Sequence, residues 1–228
     1  MTLSLIIFDL DGTLVDSSAD ITNALNHATA PFGLNPITRE DTIKLIGEGI
    51  TRLIEKLLAS SRRDSADPDD ERETLKLKEC VINRFMEYYT AHLVDHTRPY
   101  EGVRETLVSL DGFHKAVISN KQTALSHMVL DQLGLSPFFE VILGSDAVPE
   151  KKPSPMPVLK VLSELGIEPV HAMMVGDSNF DIDAGKAAGV ITVGVTYGYR
   201  PREAIAHADY MIQSMTELVP LVEKINVS

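Results

Sequence analysis

The sequence predicts an α/β protein whose doubly wound parallel sheet is interrupted by an all-helical insertion. Short apolar runs of strand length alternate with helical segments from residue 99 onward, a pattern typical of a parallel sheet with helices on both faces. A similar apolar run, Leu5–Phe8, stands near the amino terminus. Residues 18–97 show helical periodicity without a convincing strand. We therefore expect two separate stretches of the chain to build one sheet.

The predicted elements of the sheet follow one another in a regular order. The strands are short, continuous apolar runs, as in buried parallel sheets, and lie at Leu5–Phe8, 116–119, Val141–Leu143, 172–175 and Ile191–Val195. Helices separate the later strands, and each is followed by a glycine where helices commonly end. These helices are predicted at 103–110, 123–133, 158–165 and 182–188.

The helical insertion divides the chain into three predicted segments. Residues 1–17 supply the first strand of the core, residues 18–97 form a helical cap, and residues 98–228 complete the core. Asp67, which precedes a proline, predicts an N-cap with proline at the first helical position. A long helix is expected from there through Glu87.

Composition and charge exclude several functional classes. Hydrophobic residues make up 44% of the 228 residues, which is enough for a sizeable core. The formal net charge is -12 and no extended basic run is present, so we expect no nucleic-acid partner. The single cysteine, Cys80, excludes a disulfide framework, and no apolar stretch approaches the roughly 20 residues of a membrane span. With a short strand rather than a signal sequence at its start, the chain is predicted to be cytoplasmic; monomer and homodimer both remain open.

Polar residues follow the predicted strands, at the sheet edge where ligands bind in parallel α/β proteins. Carboxylates brought together there raise one another's pKa unless a cation neutralises them. Magnesium suits such a site, because it prefers oxygen ligands and commonly binds one or two carboxylates together with a substrate phosphate. The pattern predicts a site for Mg²⁺ and a small phosphorylated metabolite, built from Asp9, Asp11, Thr13, Ser119, Asn120, Lys152, Asp177 and Asp181.

The same residue types indicate how a phosphate ester could be cleaved. Asp9 can attack phosphorus, which divides hydrolysis into transfer to the enzyme and release to water. Asp11 lies on the same side of an extended strand and can protonate the leaving oxygen, then deprotonate water. Lys152, Thr13 and Ser119 can hold the charge of the phosphoryl oxygens.

Four segments resemble the haloacid dehalogenase (HAD) superfamily of aspartate phosphatases. They are residues 8–17 (FDLDGTLVDS), 119–121 (SNK), 152–155 (KPSP) and 175–181 (VGDSNFD). The resemblance covers the whole chain and implies a HAD-like Rossmannoid core. It also places the helical insertion where the superfamily carries its type 1 cap.

This resemblance implies a role for each matched residue. Asp9 would be the nucleophile and Asp11 the acid and base, and aspartate at position 11 favours a phosphatase because dehalogenases lack a carboxylate there. Asp181 would support the metal without binding it. Magnesium would be bound by Asp9, the backbone carbonyl of Asp11, and Asp177, and the substrate phosphate by Thr13, Ser119, Asn120 and Lys152.

Within the superfamily, the chain is most similar to the bacterial phosphoglycolate phosphatases. The similarity lies in residues 46–49 (IGEG), 120–121 (NK), 151–153 (KKP) and 195–199 (VTYGY). It implies Mg²⁺-dependent hydrolysis of 2-phosphoglycolate to glycolate and phosphate through an aspartyl-phosphate. A phosphatase or phosphomutase acting on a sugar phosphate or pyrophosphate is an alternative. A non-catalytic phosphoacceptor switch is a more distant one, because receiver domains also combine an acidic pair, an acceptor Asp and a Lys.

Overall fold

The computed structural model of the protein describes residues 2–60 and 68–227. The chain forms two compact units, of which one combines Met1–Asp16 with Arg98–Ser228 and the other is Ser17–Thr97. The predicted N-cap at Asp67 lies outside the described residues. In the described ranges, no helix has both the length and the apolar character that crossing a bilayer requires.

The first unit contains a six-stranded sheet in the order β5-β4-β1-β6-β7-β8. Every neighbouring pair of these strands is parallel, which confirms the predicted fold class. Two further short strands, β2 and β3, pair antiparallel beside it. The strands are β1 Leu5–Phe8, β2 Val15–Asp16, β3 Arg98–Pro99, β4 His114–Ile118, β5 Val141–Leu143, β6 Ala172–Gly176, β7 Ile191–Val195 and β8 Tyr210–Ile212.

Strand β1 lies inside the sheet, between β4 and β6. Phe8, its last residue, is in register with Val117 of β4 and Val175 of β6. All four residues of β1 are buried, which explains why they form a continuous apolar run rather than an alternating one. The residue after β1 therefore emerges between two neighbouring strands that end at the same edge.

Helices follow the strands in the first unit, and other helices make up the second unit. The helices of the described residues are α1 Ser18–Thr29, α2 Arg39–Leu45, α3 Ile50–Ser60, α4 Pro68–Ala91, α5 Val103–Ser109, α6 Thr123–Gln132, α7 Met156–Leu165, α8 Asn179–Ala188 and α9 Leu218–Val227. Residues Leu5 and Ile7 of β1 belong to a buried cluster that includes residues of α7 and α8. Because neighbouring side chains of a strand point to opposite faces, Ile6 and Phe8 face the other side, where the Phe8 ring contacts that of Phe139.

The second unit is helical over its described residues. Helix α4 packs along α1 and continues to Ala91, beyond the predicted end at Glu87. The buried rings of Phe85 and Tyr89 lie 5.1 Å apart between their centroids. Within this unit the buried carboxylate of Asp20 accepts hydrogen bonds from the backbone N–H groups of His96 and Thr97.

Candidate active site

Three neighbouring strands bring the candidate residues to one edge of the sheet. Strands β4, β1 and β6 are adjacent and parallel, so their carboxyl ends meet at the same edge. Ser119 follows β4, Asp9 follows β1 and Asp177 follows β6. The backbone N–H of Asp9 donates to Val175 O at 2.9 Å, which continues the sheet pairing up to the acidic residue.

Three buried carboxylates converge at this edge. Carboxylate oxygens of Asp9, Asp177 and Asp181 all lie within 4.8 Å of one another. Asp181 lies in the first turn of α8, where its Oδ2 accepts hydrogen bonds from the backbone N–H and the hydroxyl of Ser178 in a capping box. The cap that begins α8 thus also fixes Asp181 beside the other two acids.

Lys152 links two of these carboxylates. Its Nζ donates to Asp9 Oδ1 and to Asp181 Oδ1, each at 2.6 Å, and to the backbone oxygen of Ile118 at 2.7 Å. The side chain is only 2% exposed, whereas the preceding Lys151 is an exposed residue. The structure therefore places Lys152, which was predicted from the sequence as a site residue, in contact with Asp9, the candidate nucleophile.

The cluster carries more negative than positive charge. Burial raises the pKa of Asp9 well above its ordinary value, Lys152 acts against this rise, and Asp181 and Asp177 add to it. Burial, followed by the charge of Asp181, raises the pKa of Asp177 to about 7. Burial alone would lower the pKa of Lys152, but the charges of Asp181 and Asp9 hold it above its ordinary value. The neighbouring carboxylates therefore add to the effect of burial on Asp9 and Asp177, because one ammonium cannot balance three buried carboxylates.

Asp177 is held by the loop that follows β7. The backbone N–H of Tyr199 donates to Asp177 Oδ2 at 2.6 Å. Close backbone approach is required here: a Cβ on Gly12, where φ is +92, would lie 2.5 Å from Asp177 Oδ2. A Cβ on Gly198 would overlap both the Gly12 carbonyl oxygen and the Asp177 side chain. Sequence reasoning did not select Tyr199, because a backbone donor leaves no side-chain signal.

Asp11 lies outside the cluster of three and has a different cation. Lys121 Nζ donates to Asp11 Oδ1 at 2.6 Å, and the two side chains are 4% and 11% exposed. Lys121 was part of a recognised segment but was not among the predicted site residues. The site therefore holds a second buried ammonium.

The remaining predicted residues support this edge in different ways. Asn120 donates from its amide to the backbone oxygen of Lys152 at 3.0 Å. Ser119 Oγ accepts the backbone N–H of Lys121 at 3.1 Å. Thr13 is fully buried, and the described residues offer its hydroxyl no hydrogen-bond partner. Such a buried polar group is costly unless something else satisfies it.

The donor set fits a divalent cation such as Mg²⁺. The clustered groups are carboxylates, the oxygen ligands that Mg²⁺ prefers. Among the described residues, the Asp9 side chain accepts its hydrogen bond from Lys152 on Oδ1. Its Oδ2 is therefore available as a ligand for the metal. Burial and neighbouring carboxylates raise the pKa values of Asp9 and Asp177, and a bound cation would favour their charged forms.

The family model described as haloacid dehalogenase-like hydrolase matches residues 6–195 of the chain. The chain belongs to this family. The match spans β1 through β7 and includes the helical second unit. It confirms the family predicted from the four sequence segments.

Curated relatives and solved structures with similar chains agree with this assignment. A phosphoglycolate phosphatase of Aquifex aeolicus is 39% identical over 223 residues, which cover 97% of both chains. A phosphoglycolate phosphatase of Neisseria meningitidis is 38% identical over 220 residues, covering 93% of this chain and 91% of that one. The crystal structure of a predicted phosphoglycolate phosphatase from Haemophilus somnus matches with a TM-score of 0.88 at 29% identity, covering 97% and 98% of the two chains. This haloacid dehalogenase-like hydrolase is therefore similar over nearly its whole length to proteins named phosphoglycolate phosphatase.

Proposed function

We propose that the protein hydrolyses 2-phosphoglycolate to glycolate and phosphate in a Mg²⁺-dependent reaction, through a phosphorylated intermediate on Asp9. Its activity as a phosphoric monoester hydrolase follows from its family and from relatives named phosphoglycolate phosphatase. The observation that carries the mechanism is the buried Asp9, bonded through one oxygen to Lys152 and surrounded by Asp177 and Asp181.

Lys152 orients the nucleophile. Its ammonium binds Oδ1 of Asp9 and thereby fixes the orientation of the carboxylate that attacks phosphorus. The same ammonium balances part of the negative charge at the site, which reduces the repulsion between an acidic cluster and an incoming phosphate. A fixed and partly neutralised carboxylate is well suited to in-line attack.

Asp9, Asp177 and the backbone carbonyl of Asp11 would hold the magnesium ion. Both oxygens of Asp181 already accept hydrogen bonds from Lys152 and Ser178, which supports an indirect role for Asp181. When bound, Mg²⁺ supplies positive charge that draws the phosphoryl group to Asp9 and offsets the charge on its oxygens.

Asp11 transfers protons in both half-reactions. As Asp9 forms its bond to phosphorus, the leaving oxygen takes a proton from Asp11 and departs as the hydroxyl of glycolate. Asp11, now a carboxylate, then accepts a proton from the water that attacks the phosphorylated Asp9. Hydroxyl and amide groups of Thr13, Ser119 and Asn120 would bind the phosphoryl oxygens, and Lys152 would donate to them in exchange for one of its three present acceptors.

The relatives are named phosphoglycolate phosphatase, which supports 2-phosphoglycolate as the substrate. A further solved structure, of a similar chain with phosphate, supports phosphate binding. The crystal structure of CbbY from Rhodobacter sphaeroides, in complex with phosphate, matches this chain with a TM-score of 0.75 at 25% identity, covering 95% and 96% of the two chains. Phosphate release at steady state would exclude a non-catalytic phosphoacceptor, which does not sustain turnover.

The proposed function is tested by assaying a panel of phosphate esters with Mg²⁺ and with excess chelator. We expect 2-phosphoglycolate to be the most efficient substrate and the chelator to abolish its hydrolysis. Efficient hydrolysis of a hexose phosphate, with phosphoglycolate no better than generic esters, would reject the substrate assignment. Asp9→Asn is expected to lower kcat by roughly 10³-fold or more, whereas Asp183→Asn, at a side chain 47% exposed on α8, leaves it unchanged.

A further inference from the structure

The loop after β7 packs against the turn that follows β1. The hydroxyl of Tyr197 donates to the backbone oxygen of Thr13 at 2.9 Å, and the two residues are 184 positions apart in the sequence. A Cβ on the next residue of the loop, Gly198, would overlap the Gly12 oxygen, so the backbones of the loop and the turn meet without an intervening side chain. The mechanism proposed above gives the Tyr197 hydroxyl no role.

The ring of Tyr197 is itself held in place. It packs against the ring of Tyr100, with 4.8 Å between the two centroids, a favourable spacing for an aromatic pair. The backbone N–H of Tyr100 donates to the Leu14 oxygen at 3.1 Å. The two tyrosines therefore bind neighbouring carbonyl groups of one turn, and their packing keeps the Tyr197 hydroxyl directed at Thr13.

Thr13 has both of its backbone groups satisfied, but not its side chain. Its N–H donates to the Leu10 oxygen at 3.3 Å, and its carbonyl oxygen accepts the hydroxyl of Tyr197. The residue is fully buried, and nothing in the described ranges forms a hydrogen bond with its hydroxyl. A buried hydroxyl needs a partner, and a phosphoryl oxygen of the substrate would supply one. Because a β-branched side chain is stiff at χ1, the direction of this hydroxyl follows the orientation of the backbone.

We propose that Tyr197 is a positioning residue that holds the Thr13 hydroxyl in place for the phosphoryl group. Its hydrogen bond fixes the peptide unit that follows Thr13, and the bond to Leu10 fixes the one that precedes it. Tyr197 thus acts through Thr13 rather than on the reacting atoms. The inference rests on the proposed binding of the phosphoryl oxygens by Thr13.

Removal of the Tyr197 hydroxyl leaves the Thr13 carbonyl without this donor and lets the turn shift. A displacement of about 1 Å at a positioned group can cost about 100-fold in rate. The loss should appear only while the Thr13 hydroxyl is there to be misplaced. A tyrosine that merely stabilises the fold would instead lower activity by the same factor whether or not position 13 carries a hydroxyl.

A double-mutant cycle tests this dependence through kcat/KM for 2-phosphoglycolate. Thr13→Val replaces the hydroxyl by a methyl group of similar shape, and Tyr197→Phe removes only the phenol oxygen. We expect about a tenfold loss for Tyr197→Phe and about a 10- to 100-fold loss for Thr13→Val. Adding Tyr197→Phe to Thr13→Val should cost less than about a further threefold. The matched control is Tyr210→Phe, which removes the same atom from a residue 38% exposed on the edge strand β8 and should leave kcat/KM unchanged.

Two binding measurements separate the phosphate site from the proposed metal site. Titration calorimetry in Mg²⁺ should show inorganic phosphate binding more weakly to Tyr197→Phe than to the wild type, by about threefold or more. The same loop reaches Asp177 through the backbone N–H of Tyr199, so an effect on the metal has to be distinguished. Millimolar Mg²⁺ without phosphate should raise the melting temperature of Tyr197→Phe and of the wild type equally. A smaller rise in Tyr197→Phe would assign its effect to Asp177 and overturn the proposal.

Losses that multiply in the cycle would also overturn the proposal, as would full activity of either single variant. If Tyr197→Phe does not fold, Tyr197→His, whose shorter ring cannot reach as far, enters the same cycle and must show the same dependence on the Thr13 hydroxyl. If the wild type does not hydrolyse phosphoglycolate, the proposed substrate fails. The cycle is then measured with a phosphate ester that it does hydrolyse, so the role of Tyr197 is judged separately.

Discussion

Removal of the Lys152 ammonium tests how the carboxylate cluster is held. Lys152 Nζ donates three hydrogen bonds, two of them to carboxylates at 2.6 Å, and its side chain is only 2% exposed. Lys152→Met keeps most of the apolar length but leaves Asp9 and Asp181 without their counter-charge. Removal of one partner from a buried ion pair typically destabilises a protein by about 3–5 kcal/mol. We therefore expect the free energy of unfolding without metal to fall by about 4 kcal/mol.

The pH of the measurement follows from the direction of the pKa shift. Burial lowers the pKa of Lys152, but Asp181 and Asp9 raise it above its ordinary value by more. A lysine with a raised pKa in the folded state contributes its full stability below the ordinary lysine pKa and loses it only as the pH rises through the folded-state pKa. The full effect is therefore expected at pH 7.

Urea unfolding in EDTA at pH 7, followed by circular dichroism, measures this effect. With an m-value of about 2 kcal/mol/M, the expected loss moves the midpoint by about 2 M. Lys186→Met is the matched control, because the Lys186–Asp209 pair is 41% and 40% exposed and such surface pairs contribute at most about 1 kcal/mol. A midpoint shift for Lys152→Met no larger than that of the control would refute the reasoning.

Three further predictions concern the closely packed residues of the proposed metal site. Gly198→Ala should lower kcat by about tenfold or more, because its Cβ would overlap the Gly12 oxygen and Asp177 and small displacements of catalytic groups are costly. The control in the same assay is Gly112→Ala, whose Cβ would meet nothing within 4 Å. Millimolar Mg²⁺ should raise the melting temperature of the wild type by ligand linkage, and a similar rise in Asp177→Asn, measured by calorimetry, would argue against the assigned ligand. Burial and the charge of Asp181 raise the pKa of Asp177 to about 7, so the folded state binds its proton more tightly than the unfolded state. In EDTA the melting temperature of the wild type should therefore fall relative to that of Asp177→Asn as the pH rises from about 4 to 7. The same dependence of melting temperature on pH in both proteins would contradict this.

The inner strands could be predicted from the sequence because burial on both faces gives continuous apolar runs. The inner strands Leu5–Phe8 and Ile191–Val195 have the predicted bounds, and so does the edge strand Val141–Leu143, whose residues are also apolar. Strand β8 was not predicted, since it is a three-residue edge strand whose Tyr210 is exposed. The pairing of Val15–Asp16 with Arg98–Pro99 joins segments separated by the whole insertion, and no local pattern reveals such a contact.

The site residues were predictable to the extent that they follow inner strands. Asp9 and Asp177 emerge beside each other because β1 and β6 are neighbours. The contact between Lys121 and Asp11 depends instead on the path of the loop after β4, which residue spacing does not specify. The same holds for the backbone donor of Tyr199, which any residue type could supply.

The central claim is that Asp9 accepts the phosphoryl group. Acid quenching of the enzyme during turnover of 2-phosphoglycolate with Mg²⁺, followed by peptide mass spectrometry, tests it most directly. We predict one added phosphoryl group on the peptide that contains Asp9 in the wild type and none in Asp9→Asn. A phosphorylated peptide elsewhere in the chain, or rapid turnover by Asp9→Asn, would contradict the account.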